Sequence, residues 1–346
     1  MDGQFGSCGK GAFISARAHY EEPEYVVRVG GPQAGHSMYG PCPSTCEEVH
    51  GVTASPGGHS HIWKMRQIPA AWHVPGTTVV IGRGAMIDLH VLFDEITAIE
   101  STGRPLRLLV DDAAFVVEDR HRDAERADSF GTHGTTREGV GVARAHMAMR
   151  TAMQVGEFIV DDPNYDWLAP YLRENTAATL RFAAIKGEDV WIEGTQGFGL
   201  SLRASGFYPY VTSADITPQQ LLSDTGLHWN DAEVKTTMLL RTYPIRIAGN
   251  SGPLDEIGWD EIEVPPVQPE QTTVSKMQRR IGRFDMERVR LAVAECNPDE
   301  FVVTFLDYLL PENRIAFIQQ LQEAVRVPVT YGSVGFEDVV RYGELG

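Results

Sequence analysis

The chain lacks the features that mark membrane and secreted proteins. Its 346 residues contain no run of 18 apolar residues, and the N-terminus has no basic segment followed by an apolar stretch. We therefore predict no transmembrane helix and no secretory leader, and we expect a soluble, cytoplasmic protein. Four cysteines do not suggest a disulfide framework in a chain of this length. No internal repeat is evident, so we predict a single domain over residues 1–346.

Basic residues are also scarce. The chain has 30 Lys and Arg against 47 Asp and Glu, which gives a formal net charge of −17. This charge repels nucleic-acid backbones and anionic membrane surfaces, so we expect neither as a direct partner. A local basic pocket for one nucleotide is still compatible with it. The six Trp, 14 Phe and 11 Tyr predict a folded protein with a large core.

A cluster of cysteines and histidines raises the question of zinc. Cys42, Cys46 and His50 are followed by His59 and His61, and thiolate and imidazole are good zinc ligands. The paired Cys-x2-Cys spacing of many zinc sites is absent, however, and the prolines on both sides of Cys42 are typical of a turn-rich surface loop. The sequence favours the loop.

The stretch from Gln4 to Gly11, QFGSCGKG, is a glycine-rich turn with one lysine. Small residues let backbone N–H groups converge on phosphate oxygens, and the Lys10 ammonium offsets their negative charge. The stretch departs from the Walker A pattern, because Gln4 stands at the first glycine position and Gly11 stands where Ser or Thr is required. On these residues alone, both a phosphate-binding loop and an ordinary glycine-rich turn stay open.

Apolar β-branched runs alternate with longer amphipathic stretches. This alternation predicts an α/β fold, a single domain with a largely parallel central sheet flanked by helices and a P-loop-like phosphate site. Ligands should collect beyond the carboxyl ends of the strands. Only Met1 and Asp2 precede Gly3, so the strand that normally leads into a phosphate loop is missing or reduced to a stub. The predicted strands are 25–29, 77–81, 106–110, 189–192, 238–247, 301–305 and 327–331, and the predicted helices are 10–19, 88–101, 141–155, 168–185, 217–227, 284–295 and 311–324.

A series of short blocks spans the chain. They are QFGSCGKG at 4–11, GGPQAGHS at 30–37, GTTREGVG at 134–141, EGTQG at 193–197, YPYVTS at 208–213, GNSGP at 249–253, TT at 272–273 with RRIG at 279–282, and TFLD at 304–307. In this order they resemble the adenylosuccinate synthetase family, whose members join aspartate to a purine nucleotide with a nucleoside triphosphate. The resemblance implies a Mg²⁺-dependent cytoplasmic homodimer that acts on small-molecule substrates.

Two departures from the family pattern point to a subfamily. Ser7 and Cys8 stand where the housekeeping enzymes have a catalytic Asp followed by Glu, and Phe305 replaces the lysine of the Thr-Lys-x-Asp motif that reads guanine. The first change resembles phage 2-aminoadenylosuccinate synthetases, which act on dGMP in the diaminopurine pathway. Both changes are expected at substrate-reading positions.

The resemblance implies catalytic roles for Lys10, His36 and Ser7. His36 would be the general acid, and Ser7 together with the Gly35 carbonyl would ligate Mg²⁺. Because a serine hydroxyl is a poor base, we expect Ser7 to position the purine rather than to deprotonate it. A neutral loop substitution is the alternative for Ser7.

The remaining assignments follow the same resemblance. Arg150 would reach the nucleotide phosphate across a dimer interface, and Phe305 either stacks on adenine or is a core strand residue. The aspartate loop has extra residues, which leaves Lys276, Arg279 and Arg280 without a firm placement. Substrate loops are expected near 30–37, 131–141 and 257–281. The implied ligands are Ser7, Gln33, Thr136, Arg150, Gln196 and Thr212 for dGMP, Gly9, Lys10, Gly11, Ala12, Asp307 and Gly332 for ATP, and Thr272, Thr273 and Arg279 for aspartate.

These assignments lead to one hypothesis and two alternatives. The chain is expected to join L-aspartate to C6 of dGMP with ATP or dATP, through a 6-phosphoryl intermediate, and to release 2-amino-2′-deoxyadenylosuccinate. A divergent adenylosuccinate synthetase acting on IMP is the first alternative. The second is a noncatalytic nucleotide-binding switch, which would need neither His36 nor an aspartate loop.

Overall fold

The computed structural model describes residues 1–42, 60–127, 133–161, 163–272, 277–335 and 338–345. Within these ranges, no helix is long and apolar enough to cross a membrane. The helices are α1 (Lys10–Glu21), α2 (Leu89–Glu100), α3 (Asp119–Ala127), α4 (Val140–Met149), α5 (Val155–Asp161), α6 (Thr176–Ile185), α7 (Pro218–Thr225), α8 (Met286–Cys296) and α9 (Pro311–Val325).

The strands are mostly short. They are β1 (Tyr25–Arg28), β2 (His36–Pro41), β3 (Ser60–Met65), β4 (Thr78–Ile81), β5 (Met86–Ile87), β6 (Leu108–Asp111), β7 (Phe115–Val116), β8 (Leu172–Arg173), β9 (Val190–Glu193), β10 (Thr237–Arg241), β11 (Ile245–Arg246), β12 (Glu256–Ile257), β13 (Arg280–Gly282), β14 (Glu300–Thr304), β15 (Val329–Ser333) and β16 (Val339–Arg341).

Two sheets form the centre of the molecule. The first has five parallel strands in the order β8-β6-β4-β1-β9. The second has four strands in the order β10-β14-β15-β16, in which β16 runs antiparallel to β15. The prediction of an α/β fold with a largely parallel sheet is confirmed, although the centre is divided between two sheets and the other described strands form three smaller ones.

The N-terminal residues lie between these two groups. Asp2 makes a parallel bridge with Leu239 of β10, where the Leu239 amide donates to the Met1 carbonyl at 2.8 Å. On the other side, the Phe198 amide donates to the Asp2 carbonyl at 2.8 Å. The strand that precedes the phosphate loop is therefore reduced to a stub, as predicted, and its neighbours on both sides hold it.

The central strands are apolar because helices cover both faces of the first sheet. Val27 and Val80 pack against α6 and α7, whereas Val79 packs against α2 on the opposite face. A run of β-branched residues is the pattern expected for a parallel strand that is buried on both sides. Burial of this kind fixes the carboxyl ends of β1 and β9, from which the loops of the candidate site emerge.

Three predicted elements are wrong in their extent. The strand predicted at 238–247 is β10 and β11 with a break at 242–244, where Pro244 supplies no N–H for a ladder. The helix predicted at 141–155 ends at Met149, because Arg150 adopts a left-handed backbone with φ 63°. The helix predicted at 168–185 begins only at Thr176, capped by the Asn175 side chain, and it follows a 3₁₀ stretch that contains Pro170.

Other elements were missed altogether. The hairpin of β2 and β3 pairs His36 with Met65 and Pro41 with Ser60, and α3 follows the small β7 strand. Cys42 follows the end of β2 at Pro41, whereas Cys46, His50 and His59 lie outside the described residues. Within the described ranges, no group of three or more His, Cys, Asp or Glu side chains is arranged to hold a metal.

Candidate active site

Three residues of the glycine-rich loop have a left-handed backbone conformation. Gly6, Ser7 and Gly9 have φ values of 91°, 57° and 76°, and Gly9 is the N-cap of α1. The loop therefore turns sharply into the positive end of a helix, which is a favourable place for phosphate oxygens. Ala12 lies in the first turn of the same helix.

Lys10 is buried and already has partners in the protein. Its Nζ donates to the Gln196 carbonyl at 2.7 Å and lies 3.5 Å from the fully buried carboxylate of Asp2. Asp2 also accepts the Gln4 amide at 2.7 Å. This arrangement fixes the ammonium at the loop and supplies one negative charge that balances it.

Gly11 explains why the helix can approach the second predicted loop. A Cβ atom on Gly11 would lie 2.6 Å from Cβ of His36 and 2.8 Å from the Ser37 carbonyl oxygen. Neither is a flexible chain end that can move aside. The glycine at this position therefore brings α1 against β2, where His36 begins the strand.

His36 belongs to a buried network of three charged or titratable groups. Its Nδ1 makes a short hydrogen bond to Glu193 at the end of β9, and Arg28 at the end of β1 donates to the same carboxylate at 2.9 Å. The Ala70 amide donates to the other carboxylate oxygen at 2.7 Å. The register of β1 against β9 thus places Arg28 beside Glu193, and His36 joins them from the start of β2.

Burial and charge decide how this network is protonated. Burial alone would raise the pKa of Glu193, but Arg28 and His36 lower it to about 2. Burial, helped by the Arg28 charge, lowers the pKa of His36 to about 4 despite Glu193. Glu193 is therefore ionised and His36 neutral at neutral pH. A carboxylate only accepts hydrogen bonds, so Nδ1 carries the His36 proton and Nε2 is an acceptor.

Arg28 also fixes the loop that carries His36. One guanidinium nitrogen donates to the Ala34 carbonyl at 2.5 Å and to the Arg66 carbonyl at 3.0 Å. Arg66 in turn donates to the Pro32 carbonyl at 2.6 Å. The predicted substrate loop at 30–37 is thus tied to β1 and to the segment after β3.

Ser7 and Cys8 have opposite environments although they are adjacent. The Ser7 side chain is exposed, and its carbonyl accepts a hydrogen bond from Arg241 Nη1 at 2.9 Å. Cys8 is fully buried in an apolar cluster with Phe13, and burial raises the pKa of its thiol. Ser7 is thus open to solvent in the loop, whereas Cys8 lies in the core, and the expectation that Ser7 reads a ligand stays a prediction.

Phe305 follows β14 and does not continue the strand as predicted. It adopts a left-handed backbone with φ 57°, and its half-buried ring lies 3.8 Å from the guanidinium carbon of Arg241. One face of the ring is thus covered by Arg241, which restricts the predicted stacking on adenine. Asp307 lies in the 3₁₀ turn that follows, and burial raises the pKa of its carboxyl.

Gly332, which the resemblance implies as an ATP ligand, lies inside a strand. It is a buried residue of β15, and a Cβ atom there would lie 2.5 Å from the Leu345 side chain. The glycine therefore serves the packing of the C-terminal segment on the second sheet.

The predicted aspartate loop is partly described. Thr272 is buried, and its Oγ1 accepts the Met277 amide at 3.0 Å. The Arg279 amide donates to the Glu270 carbonyl at 2.8 Å, and its Nε donates to the Gln271 carbonyl at 3.2 Å. Thr273 and Lys276 lie outside the described residues.

Arg280 and Arg246 connect further predicted blocks. Arg280 donates to Ser251 Oγ at 3.2 Å and to the Gly252 carbonyl at 2.8 Å. Arg246 donates to the Tyr210 carbonyl at 2.7 Å. The blocks at 208–213, 249–253 and 279–282 therefore lie side by side, although they are far apart in the sequence.

The predicted nucleotide ligands are distributed around the same loops. Gln196 lies beside Lys10 with φ 61°, and a Cβ atom on the next residue, Gly197, would be 2.5 Å from the Gly6 amide nitrogen. Thr136 is exposed on a loop whose neighbour Thr135 donates to Glu125 at 2.5 Å. The Thr212 amide donates to the Leu200 carbonyl. The Oε1 atom of Gln33 is buried without a hydrogen-bond partner. Arg150 is exposed at the end of α4.

The protein donors available for magnesium are few and neutral. The exposed Ser7 hydroxyl and the Gly35 carbonyl offer oxygen atoms, and neither carries charge. Mg²⁺ in nucleotide enzymes is typically held by a small number of protein oxygens together with waters and substrate phosphates. This donor set fits an ion that arrives with a triphosphate rather than one bound by the protein alone.

Comparison with known proteins identifies the family. A family model described as adenylosuccinate synthetase matches residues 2–169 and 162–310. The chain belongs to the adenylosuccinate synthetase family. It is 30% identical over 344 residues to the adenylosuccinate synthetase of Pyrococcus sp. strain ST700, across 95% of this chain and 93% of that protein. The protein is thus a nucleotide-binding carbon–nitrogen ligase of purine biosynthesis.

Two phage proteins of this family are similar as well. The N6-succino-2-amino-2′-deoxyadenylate synthase of Acinetobacter phage SH-Ab 15497 is 29% identical over 355 residues, covering 92% of this chain and 85% of that one. The structure of the succinoaminodeoxyadenylate synthetase of cyanophage S-2L, bound to dGMP and dATP, superposes with a TM-score of 0.81 at 28% identity. That match covers 98% of this chain and 93% of the other.

Several residues of this adenylosuccinate synthetase family member were not assigned a role from the sequence. Arg28 and Glu193 lie within or beside the quoted blocks, but 165 residues separate them, so their contact needs the sheet register. Arg241 and Glu270 lie outside those blocks. The predicted strand at 238–247 placed Arg241 in its interior, and only the observed end of β10 puts it at the carboxyl edge where ligands collect.

Proposed function

We propose that this ligase joins L-aspartate to C6 of dGMP, with ATP or dATP as phosphoryl donor and Mg²⁺ as cofactor. The products would be 2-amino-2′-deoxyadenylosuccinate, ADP or dADP, and phosphate. The observation that carries this proposal is the exposed Ser7 in the phosphate loop, where the family pattern has a catalytic aspartate. The similarity to phage proteins, one of which is bound to dGMP and dATP, supports it.

Ser7 bears on the choice of purine through size and charge. A serine side chain is shorter than aspartate and neutral, so it leaves space beside N1 of the purine. Guanine carries its 2-amino group next to N1, whereas hypoxanthine carries only hydrogen. A larger carboxylate at this position would crowd that group, and the serine therefore favours dGMP over IMP.

The proposed chemistry has two steps. The purine loses its N1 proton to solvent as O6 attacks the γ-phosphorus, and the bond to the β–γ bridging oxygen breaks, which leaves the diphosphate and a 6-phosphoryl nucleotide. The neutral aspartate amine then attacks C6, and phosphate leaves with the O6 oxygen and takes up the proton that the amine gives up. Conversion of O6 into a phosphate ester turns a poor leaving group into a good one.

His36 and Lys10 are suited to the first step. Lys10 stabilises negative charge on the phosphates, and His36 presents Nε2 to the reacting oxygens because Nδ1 is held by Glu193. The approach of an anionic triphosphate raises the pKa of His36 from about 4, so that Nε2 can hold a proton and donate it. Mg²⁺, when bound, neutralises charge on the transferring phosphoryl group.

The aspartate and dimer assignments belong to the same proposal. Thr272 offers a hydroxyl group and Arg279 offers a guanidinium group, and both kinds of donor suit carboxylates. Arg150 is exposed at the end of α4 in a left-handed conformation, which suits a side chain that reaches the dGMP phosphate of a partner subunit. The proposed assembly is therefore a homodimer.

A coupled phosphate-release assay tests the proposal. The assay crosses dGMP, GMP and IMP with ATP, dATP and GTP, each with and without aspartate. We expect phosphate release to require a purine monophosphate, aspartate and magnesium together, with dGMP preferred over IMP. Preference for IMP would assign the protein to the adenylosuccinate synthetases proper, and equal hydrolysis without aspartate would favour a nucleotide switch.

A further inference from the structure

A buried arginine links the phosphate loop to the candidate aspartate loop. Arg241 is the last residue of β10, and its side chain is fully buried. Its Nη1 donates to the Ser7 carbonyl at 2.9 Å and to Glu270 Oε2 at 3.3 Å, and its Nη2 makes a shorter contact with Glu270 Oε1. One guanidinium group therefore holds a residue of each loop.

The surroundings of Arg241 restrict how its side chain can move. The Phe305 ring lies against one face of the guanidinium at 3.8 Å. The Gln4 side chain bonds to both the amide and the carbonyl of Arg241, at 3.0 Å and 3.1 Å. The start of the phosphate loop, the arginine and the aromatic ring thus form one packed unit. A planar guanidinium can make a fork of contacts and stack on a ring at the same time, which lysine cannot do.

Glu270 is the corresponding anchor on the aspartate-loop side. Its carboxylate accepts the Tyr308 hydroxyl at 2.9 Å, and its carbonyl accepts the Arg279 amide at 2.8 Å. Burial would raise the pKa of Glu270, but Arg241, Tyr308 and Arg279 lower it. The carboxylate is therefore ionised between two arginines, and it stands two residues before Thr272.

We propose that Arg241 and Glu270 are positioning residues that hold Ser7 and the loop of Thr272 and Arg279 in a fixed relation. The names of the two substrates rest on the proposed function, but the coupling between the loops does not. Neither residue is expected to touch a substrate. Phe305 acts in this arrangement as the support beneath Arg241, in addition to any contact with a base.

The contacts of Arg241 and Glu270 predict which substrate binds more weakly when this ion pair is broken. The triphosphate part of the loop is held separately, because Lys10 is fixed by Asp2 and the Gln196 carbonyl rather than by Glu270. The aspartate loop is connected to Ser7 through the ion pair of Glu270 with Arg241. Loss of the pair should therefore weaken aspartate binding more than triphosphate binding.

Steady-state kinetics of Glu270→Gln and Arg241→Lys test this inference. We expect each variant to raise the KM for aspartate by about tenfold and to change the KM for ATP by less than about twofold. The double variant should be less than additive in kcat/KM for aspartate, since both changes break one interaction. Tyr308→Phe removes a single hydrogen bond to Glu270, and we expect a smaller rise of roughly threefold.

Glu300→Gln is the matched control. Glu300 is a carboxylate at the start of β14, where it accepts the Thr237 hydroxyl at 2.6 Å, at the opposite end of the same strand pair. This variant makes the same chemical change in the same sheet without contact to either loop. We expect wild-type KM values for it, whatever its melting temperature.

The outcomes separate a positioning role from a purely structural one. A lower melting temperature with wild-type KM for aspartate in both Glu270→Gln and Tyr308→Phe would overturn the inference, as would equal rises in the KM values for aspartate and ATP. Tyr308→Phe keeps the test available if Glu270→Gln does not fold. All measurements are made with both dGMP and IMP. A wild type that uses only IMP contradicts the proposed substrate, yet the aspartate effect with IMP still decides the role of the pair.

Discussion

Glu193→Gln is the sharpest test of the His36 network. The substitution preserves the shape of the side chain and removes its charge. In the wild type, the carboxylate accepts from Arg28 at 2.9 Å and from the Ala70 amide at 2.7 Å, and it orients His36 through Nδ1. One carboxylate oxygen accepts from both Arg28 and His36, and the other accepts from Ala70. In the variant, the NH2 group therefore has to face either that pair of side chains or the Ala70 amide, and Arg28 is left as a buried cation without its counterion.

The expected effects follow from the loss of that counterion. Removing one partner of a buried ion pair costs about 3–5 kcal/mol of folding free energy, and the lower end applies because glutamine keeps the packing. For a chain of this length, that corresponds to a fall of roughly 4 °C in the melting temperature. We expect kcat to fall about a hundredfold, since the carboxylate both sets the His36 tautomer and stabilises its protonated form.

The same network gives the wild-type protein a pH signature. The pKa of His36 falls from 6.5 to about 4 on folding, so the unfolded chain binds this proton first and stability decreases from about pH 6.5 toward pH 4. The pKa of Glu193 falls from 4.5 to about 2, so its contribution is present above pH 4.5 and is lost as the pH falls toward 2. The second contribution should be missing in Glu193→Gln.

The assay combines thermal unfolding with single-turnover phosphate release. Asp111→Asn is the matched control, because Asp111 is a fully buried carboxylate that accepts the Thr176 amide and hydroxyl at 2.8 Å and 2.6 Å at the far side of the first sheet. We expect this control to lose stability but to keep the wild-type rate of chemistry. A normal single-turnover rate in Glu193→Gln, in a folded protein, would refute the claim that His36 acts through Glu193.

Three further predictions test individual assignments. Lys10→Ala and His36→Ala should each lower kcat by roughly a hundredfold or more in folded protein, measured by phosphate release, and near-normal rates would remove both catalytic assignments. Ser7→Asp should lower the ratio of kcat/KM for dGMP to that for IMP, and an unchanged ratio would show that purine choice is set elsewhere. ATP or dATP should exceed GTP in kcat/KM, because Phe305 replaces the lysine of the guanine-reading motif; a clear preference for GTP would contradict this.

The fold was largely predictable because its central strands are buried on both faces. Continuous β-branched runs at 25–29 and 77–81 correspond to β1 and β4, and only their ends differ by a residue. The misassigned segments are those where local backbone chemistry competes with periodicity. An apparently continuous apolar pattern is interrupted at Pro170, and a new helix begins after the Asn175 cap. Arg150 ends α4 in a left-handed conformation, which its residue type does not predict.

The candidate site was predictable in its loops but not in its connections. The blocks at 4–11 and 30–37 were recognisable because, together with the later blocks and in the same order, they resemble the motifs of the family. The contact between Arg28 and Glu193 depends on the register of β1 against β9, and that of Arg241 with Glu270 depends on where a long irregular segment returns to the sheet. Such pairings between distant residues are properties of the packed chain, and a local pattern does not contain them.

Ser7 and Cys8 are adjacent departures from the family pattern, but one is exposed and the other is buried. We therefore expect the two changes to have different consequences. A glutamate at the Cys8 position of this structure would be a buried charge among Phe13, Leu239 and Val302, whereas the cysteine is a small apolar residue that fits there. Burial raises the pKa of the Cys8 thiol, so it stays protonated and does not act as a nucleophile at neutral pH. The change at Cys8 therefore alters how the loop packs, and the change at the exposed Ser7 is the one that we propose a bound purine meets. Reverting Ser7 alone tests purine choice, and reverting Cys8 alone tests only whether the loop still folds.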